Sequence, residues 1–195
     1  MRLYEPYSGE VSIFGQEVTN LDEDEFDKIL SRVGMLFQNG ALLNSVSIFD
    51  NFSIPLEQHT KLSAEIIEKM IKVKLNLVNL AHAIDLFPSE LSGGMKKRAA
   101  LARAIALDPE ILFCDEPSAG LDPLTSASLD ELILKLKNLL QMSIVIVTHE
   151  LASIHRIADR IIFLDQGKVL FTGTLKEALK CNVPEVEIFF RVGKF

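Results

Sequence analysis

Apolar and polar residues change rhythm several times along the chain, and each rhythm predicts an element. Residues 10–18 alternate around Gly15, the period-two pattern of a short strand pair closed by a tight turn. Residues 22–31 open on acidic positions and then space Phe26, Ile29 and Leu30 as one face of a short helix. Residues 33–37 form a compact apolar run, read as a buried strand that ends at Gln38-Asn39-Gly40. From 41 to about 107 the pattern is helical. Ser63 is placed to cap a helix whose Ile66, Ile67, Met70 and Ile71 share a face, and Leu91-Ser92-Gly93-Gly94 precedes an Ala- and Leu-rich helix former. Beyond it, apolar runs at 111–114 and 144–147 alternate with an amphipathic helix carrying Leu129, Leu132, Ile133 and Leu136. A further helix is expected within 151–162, capped by Thr148 with His149 in its first turn. Runs at 161–164 and 169–171 read as strands joined by the turn Asp165-Gln166-Gly167-Lys168. Apolar strands alternating with helices predict an α/β fold with a parallel sheet, here carrying a helical insertion.

Composition narrows the class. The 195 residues are 48% hydrophobic and 24% charged, an ordinary globular balance that excludes a disordered or fibrous chain. A net charge of −7 speaks against broad nucleic-acid binding, which runs on basic surface. Two cysteines, Cys114 and Cys181, are too few for a disulfide framework and are expected as reduced thiols of a cytosolic protein. No apolar run approaches the ~18 residues of a membrane span, and the first residues lack a signal peptide's apolar core.

Candidate chemistry gathers at strand ends. The run 111–114 leads into Asp115-Glu116, and the run 144–147 into Thr148-His149, so in a parallel sheet Asp115, Glu116 and His149 would face one crevice. Asp115 suits Mg²⁺, a hard ion that takes one or two carboxylates beside phosphate oxygens, and Glu116 can polarise a water for attack on phosphorus. Carboxylates before Pro117 equally open a turn or helix. Ser92-Gly93-Gly94 at a helix start offers unpaired amides to an anion, or only a flexible turn. Lys96, Lys97 and Arg98 either add positive potential there or form a solvated helix face. Gln38 can ligate Mg²⁺ or orient water, or stand as an ordinary loop residue.

Taken in order, Gln38, Leu91-Ser92-Gly93-Gly94-Met95, residues 111–117, Ser118-Ala119-Gly120-Leu121-Asp122 and Val147-Thr148-His149-Glu150 resemble the ATP-binding subunits of ABC transporters. Met95 stands where that family usually has glutamine. With residues 37–60 and 88–112, it makes the chain similar to the ATPases of Mla-type phospholipid-trafficking transporters. The resemblance implies a P-loop NTPase (RecA-like) α/β core with an inserted helical subdomain. It divides one ABC ATPase domain into residues 1–40 (remaining N-terminal core, β-subdomain and Q-loop), 41–107 (helical subdomain and signature) and 108–195 (C-terminal core). It implies ATP and Mg²⁺ as cofactors, with Asp115 and Gln38 holding the metal, Glu116 as catalytic base and His149 as switch histidine. Gln38, Ser92, Gly93, Gly94 and Asp122 would meet nucleotide. The implied partners are a second ATPase subunit packed head to tail, an integral-membrane permease and an MCE-type protein, with no nucleic acid. The implied location is cytoplasmic, peripheral on the inner membrane. Residues 41–51 are the expected permease contact, although about half of Leu42, Leu43, Ile48 and Phe49 should be ordinary core. A chromosome or DNA-repair ATPase would carry a long coiled coil between Gln38 and Ser92, and no sustained heptads occur there. Phe189, Phe190 and Phe195 are candidates for a partner contact or, more simply, for docking back on the core.

One family motif is missing from the sequence. A phosphate-cradling loop needs G-x-x-x-x-G-K-[ST]. Of the ten glycines only Gly167 and Gly193 precede lysine, and neither has a glycine five residues upstream. Residues 2–15 look like the family's segment just after the P-loop helix, and Met1 like an internal methionine. The expectation is an ATPase lacking its N-terminal strand and Walker A region, with apolar surface and strand edges laid open and weak ATP binding. The alternative is a degenerate subunit that donates its signature to a partner's ATP site.

Overall fold

The structure is a computed structural model that describes residues 4–192; Met1 and Phe195 lie outside the described residues. It begins with a hairpin, β1 (Ser12–Ile13) and β2 (Gln16–Glu17), paired antiparallel. Phe14 and Gly15 both take positive φ, 53° and 76°, which suits the right-handed twist of a two-residue hairpin turn. Helix α1 (Glu23–Leu30) comes next, its amides capped by Asp22 and its Phe26 and Ile29 buried in a small cluster with Val18.

The central sheet is parallel, in the order β3–β4–β5: β3 (Val33–Leu36), β4 (Ile111–Asp115) and β5 (Ser143–Val147). Leu36 registers with Cys114, and Asp115 with Val147, so all three strands finish at one edge of the sheet. Between β3 and β4 lie α2 (Ile48–His59), α3 (Ala64–Leu77), two 3₁₀ turns (Ala81–Ala83 and Pro88–Glu90) and α4 (Gly93–Ala104). Ser47 caps α2 with a capping box to Asp50, and Ser63 occupies the N-cap of α3 without a side-chain bond. Helix α5 (Pro123–Leu140) joins β4 to β5. One continuous core holds these elements together: Leu36, Phe52, Leu101, Leu112, Leu129 and Leu136 are all buried in it, each side chain contributing about 1.5–3 kcal/mol. Among the four residues expected to divide between core and surface, Ile48 is fully buried, Leu42 and Phe49 pack partly against the core, and Leu43 is exposed.

The C-terminal part departs from the expected pattern. Helix α6 (Leu151–Ile157) is short, starts after Glu150 rather than Thr148, and ends where Ala158 turns extended. His149 therefore precedes the helix instead of standing in its first turn. β6 (Arg160–Asp165) and β7 (Lys168–Thr174) form an antiparallel hairpin, with α7 (Leu175–Ala178) and α8 (Pro184–Val192) after it. Phe189 and Phe190 dock inward: Phe190 is buried with Ala178 and Val186, and Phe189 meets Phe163 edge-on at 5.4 Å between ring centroids.

Among the described residues, the β6–β7 hairpin does not pair with β5. A cleft lined by Ile144, Ile146, Ile157 and Arg160 opens between β5 and β6. Beside it Val145 and Val147 of β5 are 46% and 62% exposed, and Ile162 and Leu164 of β6 are 65% and 66% exposed. Apolar side chains on these two strands therefore face outward along unpaired edges.

Candidate functional site

The edge where the parallel strands finish assembles the candidate residues. β4 delivers Asp115, half-buried, and then Glu116, whose amide still bonds to the Val147 carbonyl at 2.9 Å. Glu116 holds φ at +43°, a left-handed conformation that costs a non-glycine residue about 1–2 kcal/mol. Its carboxylate bonds to the segment that follows β5. There Oε2 accepts from the Thr148 hydroxyl at 3.0 Å, and Oε1 accepts from the His149 amide at 3.2 Å and lies 2.5 Å from His149 Nδ1. An ionised carboxylate only accepts, so Nδ1 carries the hydrogen of that contact. The Glu116 side chain is 17% exposed and that of His149 is 84% exposed. The base candidate is thus sheltered, while the imidazole reaches into the open crevice.

Gln38 lies on the exposed loop beyond β3, and its carbonyl accepts from Lys97 Nζ of α4. Burial lowers the Lys97 pKa, opposed by the attraction of Glu116 and Asp115, so the ammonium sits within electrostatic reach of both carboxylates. Nearly two turns later on α4, Arg103 donates to the Ala41 carbonyl at 2.7 Å and the Gly40 carbonyl at 3.2 Å. Gly40 has φ +74°, and a Cβ there would stand 2.9 Å from the Ala100 methyl, so the loop closes on α4 only with glycine. Of the basic run, Lys96 alone is the solvated face; Arg98 bonds Ser128 Oγ at 2.8 Å.

The Ser92-Gly93-Gly94 stretch is a helix start. Ser92 is the N-cap of α4, its hydroxyl accepting from the Met95 amide at 3.3 Å. The two glycines differ. Gly93 is open to solvent, whereas a Cβ on Gly94 would meet the Thr125 methyl at 2.8 Å. Asp122 caps α5, accepting from the amides of Leu124 and Thr125, each at 3.1 Å, and from the Thr125 hydroxyl at 2.5 Å. These bonds, the Thr125 hydroxyl foremost, hold its carboxyl below the usual range. A shallow cleft lined by Gln38, Gly93, Lys97 and Gly120 connects the loop after β3 with the start of α4.

The geometry thus joins Glu116 to His149, sets Asp115 beside them, and links Gln38 to the group through Lys97. Ser92 and Asp122 each bond within their own helix starts. The family profile described as ABC transporter matches residues 1–119. The intermembrane phospholipid transport ATP-binding protein MlaF of Haemophilus influenzae is 41% identical over 186 residues, covering 95% of the chain and 70% of that protein. The chain belongs to the ABC transporter ATPase family. The methionine import ATP-binding protein MetN of the same species is 40% identical over 175 residues, and the chain spans 50% of its length. Among solved structures, the ATP-binding cassette MJ0796 in a dimeric post-hydrolysis state bound to ADP and Pi superposes with TM-score 0.78 at 32% identity, covering 89% of this chain and 76% of that one. The cassette cbiO1 of Clostridium perfringens gives TM-score 0.82 at 25% identity, covering 97% and 78%. ABC ATPases bind ATP with Mg²⁺ in general, and both MlaF and MetN cassettes are relatives, so the shared ground is the ATP-binding subunit rather than one cargo.

In this ABC ATPase Asp115 and Gln38 offer side-chain oxygens at or just beyond the ends of neighbouring strands, the hard donor type that Mg²⁺ takes. No cluster of three or more His, Cys, Asp or Glu that could hold a metal occurs among the described residues. The given sequence contains no G-x-x-x-x-G-K-[ST] motif. No helix among the described residues is long and apolar enough to cross a membrane.

Sequence reasoning missed several residues that shape this region. Asn51, 2% exposed, accepts from the Leu43 amide at 2.7 Å and donates to the carbonyls of Leu43 and Ser47 at 3.0 and 2.9 Å, fixing the loop before α2. A lone Asn within an apolar helical run was the available signal. Arg103 and Asp130, the latter fully buried against Ser153 and Arg156, carried no local signal.

Proposed function

We propose that the chain comes from the ATP-hydrolysing subunit of an ABC transporter for phospholipid or another lipid, working peripherally on the cytoplasmic face of the inner membrane, with weak ATP binding by these 195 residues alone. The observation that carries the catalytic part is the sheltered Glu116 carboxylate in contact with His149 at the strand ends, beside Asp115. The lipid class rests on the 41% identity to MlaF. In this reading Glu116 accepts the proton of the water that attacks the γ-phosphorus, oriented by the Thr148 hydroxyl and the His149 amide. The exposed His149 side chain lies where the γ-phosphate would enter the crevice. Asp115 and Gln38 hold Mg²⁺, which supplies charge neutralisation on the phosphates. Ser92, Gly93 and Gly94 offer the N-terminal amides of α4 to the nucleotide of a second subunit packed head to tail, and Asp122 lies at that seam. Residues 1–40, 41–107 and 108–195 serve as remaining N-terminal core, helical subdomain and C-terminal core, with 41–51 facing a permease and an MCE-type protein completing the complex.

A second reading is favoured by one observation, an intact Leu91–Gly94 stretch in a sequence without G-x-x-x-x-G-K-[ST]. A subunit of that kind donates its signature to a partner's site and hydrolyses nothing itself. Calorimetric titration of the purified chain with Mg·ATP is expected to give weak binding or none, because the β- and γ-phosphates lack their main donors; micromolar affinity overturns that expectation. An in-frame phosphate-loop motif immediately upstream in the nucleotide sequence selects the first reading over the second. Copurification with an integral-membrane permease is expected under both, and its absence from cells expressing the whole protein refutes the transporter assignment.

A further inference from the structure

Glu150 stands at the N-cap of α6, where a carboxylate ordinarily accepts from its own helix's first amides and stabilises it by about 0.5–2 kcal/mol. It makes no such bond. Its side chain turns away and spends both oxygens on the other side of the crevice. Oε2 accepts from the Ser118 hydroxyl at 2.6 Å, and Oε1 from the Ser126 hydroxyl at 2.9 Å. Both serines are buried, at 3% and 2% exposure, so these hydroxyls depend on protein partners. Ser118 opens the loop that runs to Asp122, and Ser126 lies in the first turns of α5. On the opposite side, the Glu150 amide donates to the Thr148 hydroxyl at 3.1 Å, and that hydroxyl donates to Glu116.

We propose that Glu150 is a positioning residue. It ties the Ser118–Asp122 loop to the Thr148–His149 segment, so that Asp122 and the Glu116–His149 pair are held as one unit. A local cap given up for a bridge spanning 24 and 32 residues of sequence is what carries the inference. One helical turn further along the same α5–α6 seam, Asp130 accepts from Ser153 at 2.9 Å and from Arg156. That cluster joins the two helices without touching either loop, so it serves as an internal control. The consequence for turnover rests on the ATPase reading; the tie itself does not.

Amide hydrogen exchange on the full chain tests the tie without nucleotide. Two reporters are the Leu121 amide, bonded to the Ser118 carbonyl at 3.1 Å, and the His149 amide, bonded to Glu116 Oε1. In Glu150→Ala both are expected to exchange roughly tenfold faster, the scale of losing hydrogen bonds to a charged group, while the Cys114 and Ile146 amides in the sheet keep their rates. Glu150→Gln, which still reaches both serines, is expected to restore most of the protection. Ser118→Ala is expected to speed both reporters, and it carries the test should Glu150→Ala not fold. Acceleration of only one reporter in Ser118→Ala, or equal acceleration of both in Ser153→Ala, overturns the proposal in favour of a plain interface clamp. ATP hydrolysis by the wild-type chain, measured in parallel, bears on the proposed function alone.

Discussion

Replacing Gly94 by alanine separates what the signature glycine does for packing from what it does for a ligand. The added methyl would lie 2.8 Å from Thr125 Cγ2, about an ångström inside van der Waals contact. Thr125 cannot easily yield. It is β-branched, and its hydroxyl is bonded to Asp122 Oδ2 at 2.5 Å, so rotating the methyl away breaks that bond. Overpacking of this kind costs about 1–3 kcal/mol. Thr125→Ser removes the obstructing methyl and keeps the hydroxyl, so Gly94→Ala in that background should lose most of its cost. The expected coupling across the cycle is about 1–2 kcal/mol, in the middle of the range for residues in direct contact. Urea denaturation of the wild type, both single variants and the double variant supplies the four stabilities, with the slope checked for constancy. If Gly94→Ala is equally costly in both backgrounds, the glycine is not needed for clearance against Thr125, and its role lies elsewhere than in packing.

Other expectations are simpler. The bonds that lower the Asp122 pKa favour its charged form in the folded state. Its contribution is therefore complete above the ordinary carboxylate range and is lost as pH falls through the lowered value; Asp122→Asn should flatten the acid limb of the stability–pH curve, and an unchanged limb refutes this. Burial pushes the Cys114 thiol up to about 12, so a thiol reagent at mildly alkaline pH should modify half-buried Cys181 and spare Cys114 until the chain unfolds; equal labelling by mass spectrometry contradicts it. Replacing Ile162 and Leu164 by threonine should alter stability by no more than about 0.5 kcal/mol, because both side chains are largely exposed, while reducing self-association in light scattering. A large loss of stability would show that these residues are packed after all.

The reach of the sequence followed the range of the interactions. Val33–Leu36, Ile111–Asp115 and Ser143–Val147 were legible as strands because each is a short apolar run, and their parallel pairing then placed Gln38, Asp115, Glu116 and His149 on one edge. The caps at Asp22, Ser47 and Ser92 were or could be read from local spacing. The stop of α6 at Ile157 was not, since Ile161 and Ile162 continue an apolar pattern and only the pairing of β6 with β7 diverts them. The left-handed turn at Glu116 was equally hidden, because glutamate has no preference for it and tertiary bonds to Thr148 and His149 hold it there. Glu150, Lys97 and Arg103 bond partners 24 to 63 residues away, and nothing near them in sequence marks those contacts.

The two cations of α4 have a mechanical consequence. Lys97 and Arg103 grip the loop after β3 at points separated by about 9 Å along the helix axis, given its rise per residue. A body held at two separated points cannot swivel about either one. Any tilt of α4 that carries Ser92 toward or away from a ligand must therefore drag the Gln38–Ala41 loop with it as a sliding motion, or release both grips together. The helix works as a connecting rod between its own N-terminus and the end of β3, with Gly40 as the clearance that lets the rod lie flush against the loop.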